Sequence, residues 1–257
     1  MVRTELYPSA EPSRQDFLKR ADGHKIYYEL CGNPKGYPIV FVHGGPGSGC
    51  GPTSRRFFDP EKWLVILFDQ DGSGRSEPAG CLDNNTTWDL VRDMRLILNT
   101  LDVQRAAFFG GSWGTTLIMV FNIVFPEMVS GRILRGVWLG EKAEIDYYLK
   151  GGIKQFFPKV WERFSGQVPP EHRQNPAPFY YEKLLHGTPE EQSHFAYEWA
   201  WYEEKLLFLQ EKSDKEVAEA LAGVNFVSWA RIEAHYCLEY LFMPEGYIMN
   251  NVHRLPL

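Results

Sequence analysis

Residues 105–125 read RAAFFGGSWGTTLIMVFNIVF, and this stretch decides the fold. Arg105–Phe109 has the length and apolar character of a buried strand, and Thr115–Phe125 is an apolar run long enough for a helix covered on most sides. Between them lies Gly110-Gly111-Ser112-Trp113-Gly114. A chain that turns sharply from strand into helix has no room for side chains on either side of the turning residue, which is why small residues flank the serine. Such a turn strains the serine, exposes its hydroxyl and places it at a helix N-terminus, where backbone N–H groups converge. Ser112 is therefore the candidate nucleophile, with a tight glycine turn carrying an incidental serine as the plainer reading.

Working outward, the first half alternates short apolar runs with helical patterns, the signature of an α/β chain with a mostly parallel sheet. Strands are expected at 24–31, 37–42, 62–68, 105–109 and 133–139. A helix precedes the fourth strand, with Val91, Met94, Leu98 and Leu101 on one face and Thr86 with Asp89 forming a capping box. From about Glu141 to about Tyr240 strand patterns vanish, and helical segments rich in aromatic residues read as a helical cap inserted into the sheet-bearing domain. The expected division is 1–140 as core, 141–245 as cap and 246–257 as the start of a return to the core. Tyr147, Tyr148, Phe156, Phe157, Trp161, Trp199, Trp201, Tyr202 and Trp229 are pocket candidates, though large aromatics fill cores as readily.

Composition narrows the function. A chain of 257 residues with 44% hydrophobic content buries a sizeable core, and a net charge of -6 without basic blocks argues against nucleic-acid binding. No apolar run is long enough for a membrane span and no signal peptide opens the chain, so a cytoplasmic address is expected. Cys31, Cys50, Cys81 and Cys237 form no CxxC pair and have no histidine at metal-ligand spacing, so they are read as reduced thiols, with no metal and no cofactor expected. His43-Gly44-Gly45-Pro46-Gly47, at the end of a strand, can bring a backbone N–H beside the nucleophile. Gly45 and Trp113 are the oxyanion-hole candidates. His43 itself is read as structural, because it precedes the serine in the chain. Asp69–Ser76 (DQDGSGRS) is read as a shaped turn, since it lacks the distal glutamate of a calcium loop.

HGGPGSG, FDQDGSGRS, LDNNTTWDLVRDM, GGSWGTTL and WARIEAHY together resemble the proline iminopeptidase family, from about Leu6 to the end of the chain. The resemblance implies an α/β-hydrolase fold with a helical cap, a Ser-Asp-His triad, and a peptide substrate with an N-terminal proline whose amine is gripped by cap glutamates. Ser112 falls on the nucleophile, Gly45 and Trp113 on the oxyanion hole, and Glu203 and Glu233 on the amine-binding glutamates, with Glu204 adjoining the first. Without the resemblance, Glu233 reads as an exposed helix residue or a partner of Arg231. Two departures stand out. Asp71 replaces the Arg usual in this family, reversing a charge. The sequence also halts at NNVHRLPL, before the two strands that carry the family's Asp and His, so the last strands of the sheet and the base for Ser112 are expected to be missing. An esterase or amidase of the same fold, or an inactive product, is the alternative. The oligomeric state is left open.

Overall fold

The computed structural model describes residues 5–9, 11–208 and 210–255. They form two compact units, one of the described residues up to 139 together with those from 246 onward, and the other of the described residues between 140 and 245.

The first unit is built on six strands: β1 (Arg14–Lys19), β2 (Lys25–Gly32), β3 (Tyr37–Val42), β4 (Trp63–Phe68), β5 (Ala106–Ser112) and β6 (Val129–Val137), in the spatial order β1-β2-β4-β3-β5-β6. β1 and β2 pair antiparallel, as do β2 and β4, whereas β4, β3, β5 and β6 run parallel. β4 and β5 lie on opposite sides of β3, so the chain changes direction across the sheet there. In open sheets of this kind, ligands bind beyond the carboxyl ends of the strands at such a switch point. Val42 at the end of β3 is in register with Gly110 of β5, which brings the loop after β3 level with the serine turn.

The central strands read as near-continuous apolar runs because both faces are covered. Ile39, Val40, Val65, Ile66, Leu67 and Phe108 are all buried. After the short helix α1 (Pro52–Arg55), the helix α2 (Thr87–Thr100) starts on the expected capping box, with Thr86 accepting from the Asp89 N–H and Asp89 from the Thr86 N–H. The helix α3 (Trp113–Val124) buries every residue from Trp113 to Ile123, so its sequence is apolar all round. Two differences from the sequence reading concern β1 and β6. β1 is polar and largely exposed, a strand held by pairing to β2 more than by apolar burial. β6 begins four residues before the expected Ile133 and ends at Val137, where the positive φ of Gly136 breaks the extended run. β6 forms one edge of the sheet, and its Ile133 and Val137 are more than half exposed, at 54% and 55%.

The second unit is helical: α4 (Lys142–Leu149), α5 (Pro158–Gly166), α6 (Ala177–His186), α7 (Pro189–Leu206), α8 (Asp214–Leu221) and α9 (Phe226–Leu238). Thr188 with Glu191 caps α7, Ser213 with Glu216 caps α8, and Asn225 caps α9, so the three helices begin where side chains can take up otherwise unpaired N–H groups. Its core is an aromatic stack. Phe164 lies between Tyr202, 4.1 Å away, and Tyr180, 4.5 Å away, with Trp199 edge-on. Among the aromatic pocket candidates, Trp199, Trp201, Tyr202 and Trp229 are buried, whereas Phe156 is 73% and Tyr147 41% exposed.

Candidate functional site

Ser112 ends β5 and serves as N-cap of α3 with φ 52° and ψ -127°, a left-handed conformation that costs a non-glycine residue about 1–3 kcal/mol. Its neighbours have no room to relax it. A Cβ on Gly114 would lie 2.3 Å from the Val42 carbonyl oxygen, and one on Gly110 would lie 2.7 Å from Ile118 Cδ1. The turn thus holds an exposed serine against the end of β3. Thr115 Oγ1 donates to the Ser112 carbonyl at 2.7 Å and accepts from the Trp138 N–H at 3.0 Å, fixing the first turn of α3.

The glycine loop after β3 is adjacent. A Cβ on Gly44 would sit 3.0 Å from Gly111 O and 3.5 Å from Ser112 Cβ, so a side chain there would crowd the serine turn. Gly45, the next residue, also has positive φ. Gln70, which the sequence reading passed over, clamps three segments at once. Its N–H donates to His43 Nε2 at 3.0 Å, its side-chain amide donates to the His43 carbonyl at 3.0 Å, and its Oε1 accepts from Trp113 Nε1 at 2.8 Å. His43 is buried, with Nε2 accepting from Gln70 and Nδ1 facing the Gly44 carbonyl at 2.9 Å. Burial pushes its imidazole below the ordinary value. A neutral ring with both nitrogens committed is a structural pin, as its place in the chain implied. His24 is engaged elsewhere and His253 is exposed, so among the described residues of this unit no imidazole hydrogen-bonds Ser112.

The turn at 69–76 is shaped by its own carboxylate. Asp69 accepts from the N–H groups of Cys50 and Arg75, and from Arg75 Nε at 2.7 Å. Arg75 continues to Glu29, which also takes Arg55, making a buried network across β2 and the turn. Asp71 is not left unpaired by its reversed charge. Its buried carboxylate meets Arg20 Nη1 at 2.9 Å and His24 Nδ1 at 2.7 Å.

In the second unit, α7 and α9 bring Glu203 and Glu233 together. Glu233 is buried, contrary to its plain reading as an exposed residue, and Arg231 does not pair with it: Arg231 Nε and Glu233 Oε2 each lack a hydrogen-bond partner. Glu204, the neighbour that competed with Glu203 for the assignment, is held by Lys212. Burial raises the pKa of both carboxyls. Glu203 is driven further up by the charge and the hydrogen bond of Glu233. The indole N–H groups of Trp199 and Trp229 point toward Glu233 and lower its pKa somewhat, yet neither attains full hydrogen-bond geometry. Glu203 Oε2, Glu233 Oε2 and Tyr148 Oη are all sealed from solvent with no hydrogen-bond partner. Buried polar atoms are almost always satisfied, so three orphans gathered in one place make this a candidate ligand site. Among the described residues no group of three or more His, Cys, Asp or Glu side chains is placed to hold a metal ion.

The sheet order, the strained serine between β5 and α3, and the glycine loop beside it define an α/β-hydrolase, and the family model for the alpha/beta hydrolase fold matches residues 37–195. Solved structures agree at the level of fold. A carboxylesterase of Nitrososphaera gargenis superposes with TM-score 0.59 at 17% identity, over 93% of this chain and 76% of that one. A probable hydrolytic enzyme from Pseudomonas aeruginosa does so with TM-score 0.56 at 18% identity, over 94% and 70%. Sequence relatives are closer: a proline iminopeptidase of Arabidopsis thaliana is 38% identical over 97% of this chain, and a probable proline iminopeptidase of Leptolyngbya boryana 39% over 98%. The chain covers 66% of the length of the plant relative and 78% of the cyanobacterial one. The chain belongs to the proline iminopeptidase family of α/β-hydrolases. No described helix is long and apolar enough to cross a membrane.

Proposed function

We propose that this chain carries the nucleophile and the amine-recognition machinery of a serine aminopeptidase that releases N-terminal proline from peptides. Ser112 Oγ attacks the carbonyl carbon of the first residue, and the backbone N–H groups of Gly45 and Trp113 receive the developing oxyanion. Glu203 and Glu233 receive the secondary ammonium of the substrate. The observation that carries the reading is the buried Glu203–Glu233 pair with an orphan oxygen on each carboxyl. An exopeptidase must distinguish a charged terminus from a mid-chain amide. Charge-assisted hydrogen bonds of about 1.5–3 kcal/mol each supply that discrimination, because an uncharged, acylated terminus would leave both carboxyls unpaired.

The proton that Ser112 must lose has no hydrogen-bonded imidazole to go to among the described residues of its unit, so recognition and turnover are tested separately. Recognition is measured by calorimetric titration with proline amide and with its N-acetyl form. The free amine binds and the acetylated one does not, and Glu233→Gln weakens the former by at least roughly tenfold, about 1.4 kcal/mol. Equal affinity for the two ligands, the esterase-like outcome, would refute the amine site. Turnover is measured with a chromogenic proline amide, where any activity must vanish in Ser112→Ala.

A further inference from the structure

The first unit also brings a thiol to a histidine–carboxylate pair, away from Ser112 in the sequence. Cys81 lies in the loop that leads from the 69–76 turn to α2, with its Sγ 3.8 Å from His24 Nε2, within hydrogen-bond reach for sulfur. On the other side of the ring, His24 Nδ1 is 2.7 Å from Asp71 Oδ2 and 2.9 Å from Oδ1. A carboxylate can only accept, so Nδ1 carries the proton and Nε2 turns its lone pair to the thiol. The other charged groups at the cluster are Arg20, which bonds Asp71 at 2.9 Å, and Asp22 and Asp93, which share that guanidinium. The loop is fixed as well, since Asn85 Nδ2 donates to the carbonyls of both Asp71 and Cys81. His24 and Asp71 are buried, whereas Cys81 keeps some surface. The other cysteines differ. Cys31 and Cys237 are buried, and the Cys50 thiol donates to the Phe68 carbonyl at 3.2 Å.

A thiol facing an imidazole that is itself oriented by a buried carboxylate is the arrangement of an activated nucleophile. We infer that Cys81 is a reactive thiol and a covalent modification site for small disulfides, with His24 as its base and Asp71 as the group that orients the base. The Cys81 proton passes to His24 Nε2, and the thiolate attacks one sulfur of the disulfide. That S–S bond breaks as the Cys81–sulfur bond forms. The departing thiolate takes the proton from His24, so Cys81 is oxidised by the disulfide that is reduced.

The test uses the whole chain with two probes, iodoacetamide and glutathione disulfide. Adducts at each of the four cysteines are followed by peptide mass spectrometry between pH 5.5 and 9, with N-acetylcysteine in the same tube as reference. Cys81 reacts first, at pH 7 roughly tenfold faster than the reference, and its rate falls less steeply than that of the reference as pH is lowered. His24→Gln lowers the Cys81 rate at least tenfold and returns its pH profile to that of the reference, while Asp71→Asn falls between. If Cys81 of the unaltered protein reacts no faster than N-acetylcysteine, the inference is overturned whatever the variants do. An unchanged rate in His24→Gln overturns the role of the base. Unfolding of that variant shows itself as equal labelling of Cys31, Cys81 and Cys237, and the pH profile of the unaltered protein then decides.

Discussion

The Glu203–Glu233 pair makes a prediction of unusual sign: Glu203→Gln stabilises the unliganded protein while weakening its binding of an amine. Both carboxyls are buried, each has an orphan oxygen, and burial raises both pKa values, with Glu203 raised further by its partner. A Gln at 203 keeps the shape, removes one buried acid and can donate its amide N–H to Glu233. Relief of one unsatisfied buried group is worth about 1–2 kcal/mol, which for a chain of this size raises Tm by roughly 3–6 °C. The pH dependence gives a sharper signature. A carboxyl whose folded-state pKa is raised holds its proton after the unfolded chain has lost its own. The pair's contribution to stability is therefore full at and below the ordinary glutamate range, about pH 4.3, and is lost as pH rises toward the raised value. The loss runs at up to about 1.4 kcal/mol per pH unit for one proton. Glu203→Gln removes most of that slope, so the gap between the proteins widens from pH 5 to pH 8. Calorimetric melting at four pH values measures it. A variant less stable than the parent at pH 8, or a gap that does not widen, would mean that the pair is not a proton-sharing couple held in strain for a cation.

Ser112→Gly relieves the positive φ of the serine and raises stability by about 1 kcal/mol, measured by urea melting, while abolishing any Ser112-dependent turnover. Gly114→Ala drives a Cβ to 2.3 Å from the Val42 carbonyl and costs at least about 2 kcal/mol in the same assay. Asp71→Arg, which the family comparison alone would present as a repair, sets a second cation against Arg20 and His24 and costs about 3–5 kcal/mol in thermal melting, so an unchanged or higher Tm refutes the pairing seen here.

Much of the first unit was legible because burial on both faces writes itself into sequence. β3 is legible residue for residue and β4 to within one residue, since their apolar runs are bounded by turn residues, whereas β5 is legible only over its apolar part and runs on through Gly110 and Gly111 to Ser112. The capping box at Thr86 and Asp89 is a local signal and was equally plain. β1 is not legible, because RQDFLK is held at an exposed edge mainly by pairing and carries no apolar period. Glu203 and Glu233 were assigned by resemblance. The independent signal is their setting, a glutamate on α9 among Trp229, Ala230, Ile232, Ala234 and Tyr236, all of them buried. A charge inside such a run is either paired or kept for a ligand.

What the sequence hid are interactions between residues far apart in it. Gln70 reads as one more polar residue of a turn, yet its three hydrogen bonds join the glycine loop, the turn and the first residue of α3, so its loss would unfasten what holds Ser112 and Gly44 together. Asp71 teaches the same lesson about charge. Judged against relatives, it is a reversed charge near the nucleophile. Judged by its surroundings, it is the acceptor that Arg20 and His24 require, and that His24 in turn places opposite Cys81. A buried charge is tolerated only with its partners, so a reversal that persists in a folded protein implies that the partners are arranged to suit it. His24 was read only as the first residue of a strand. It becomes chemically meaningful only once the fold places Asp71, 47 residues later, against its ring.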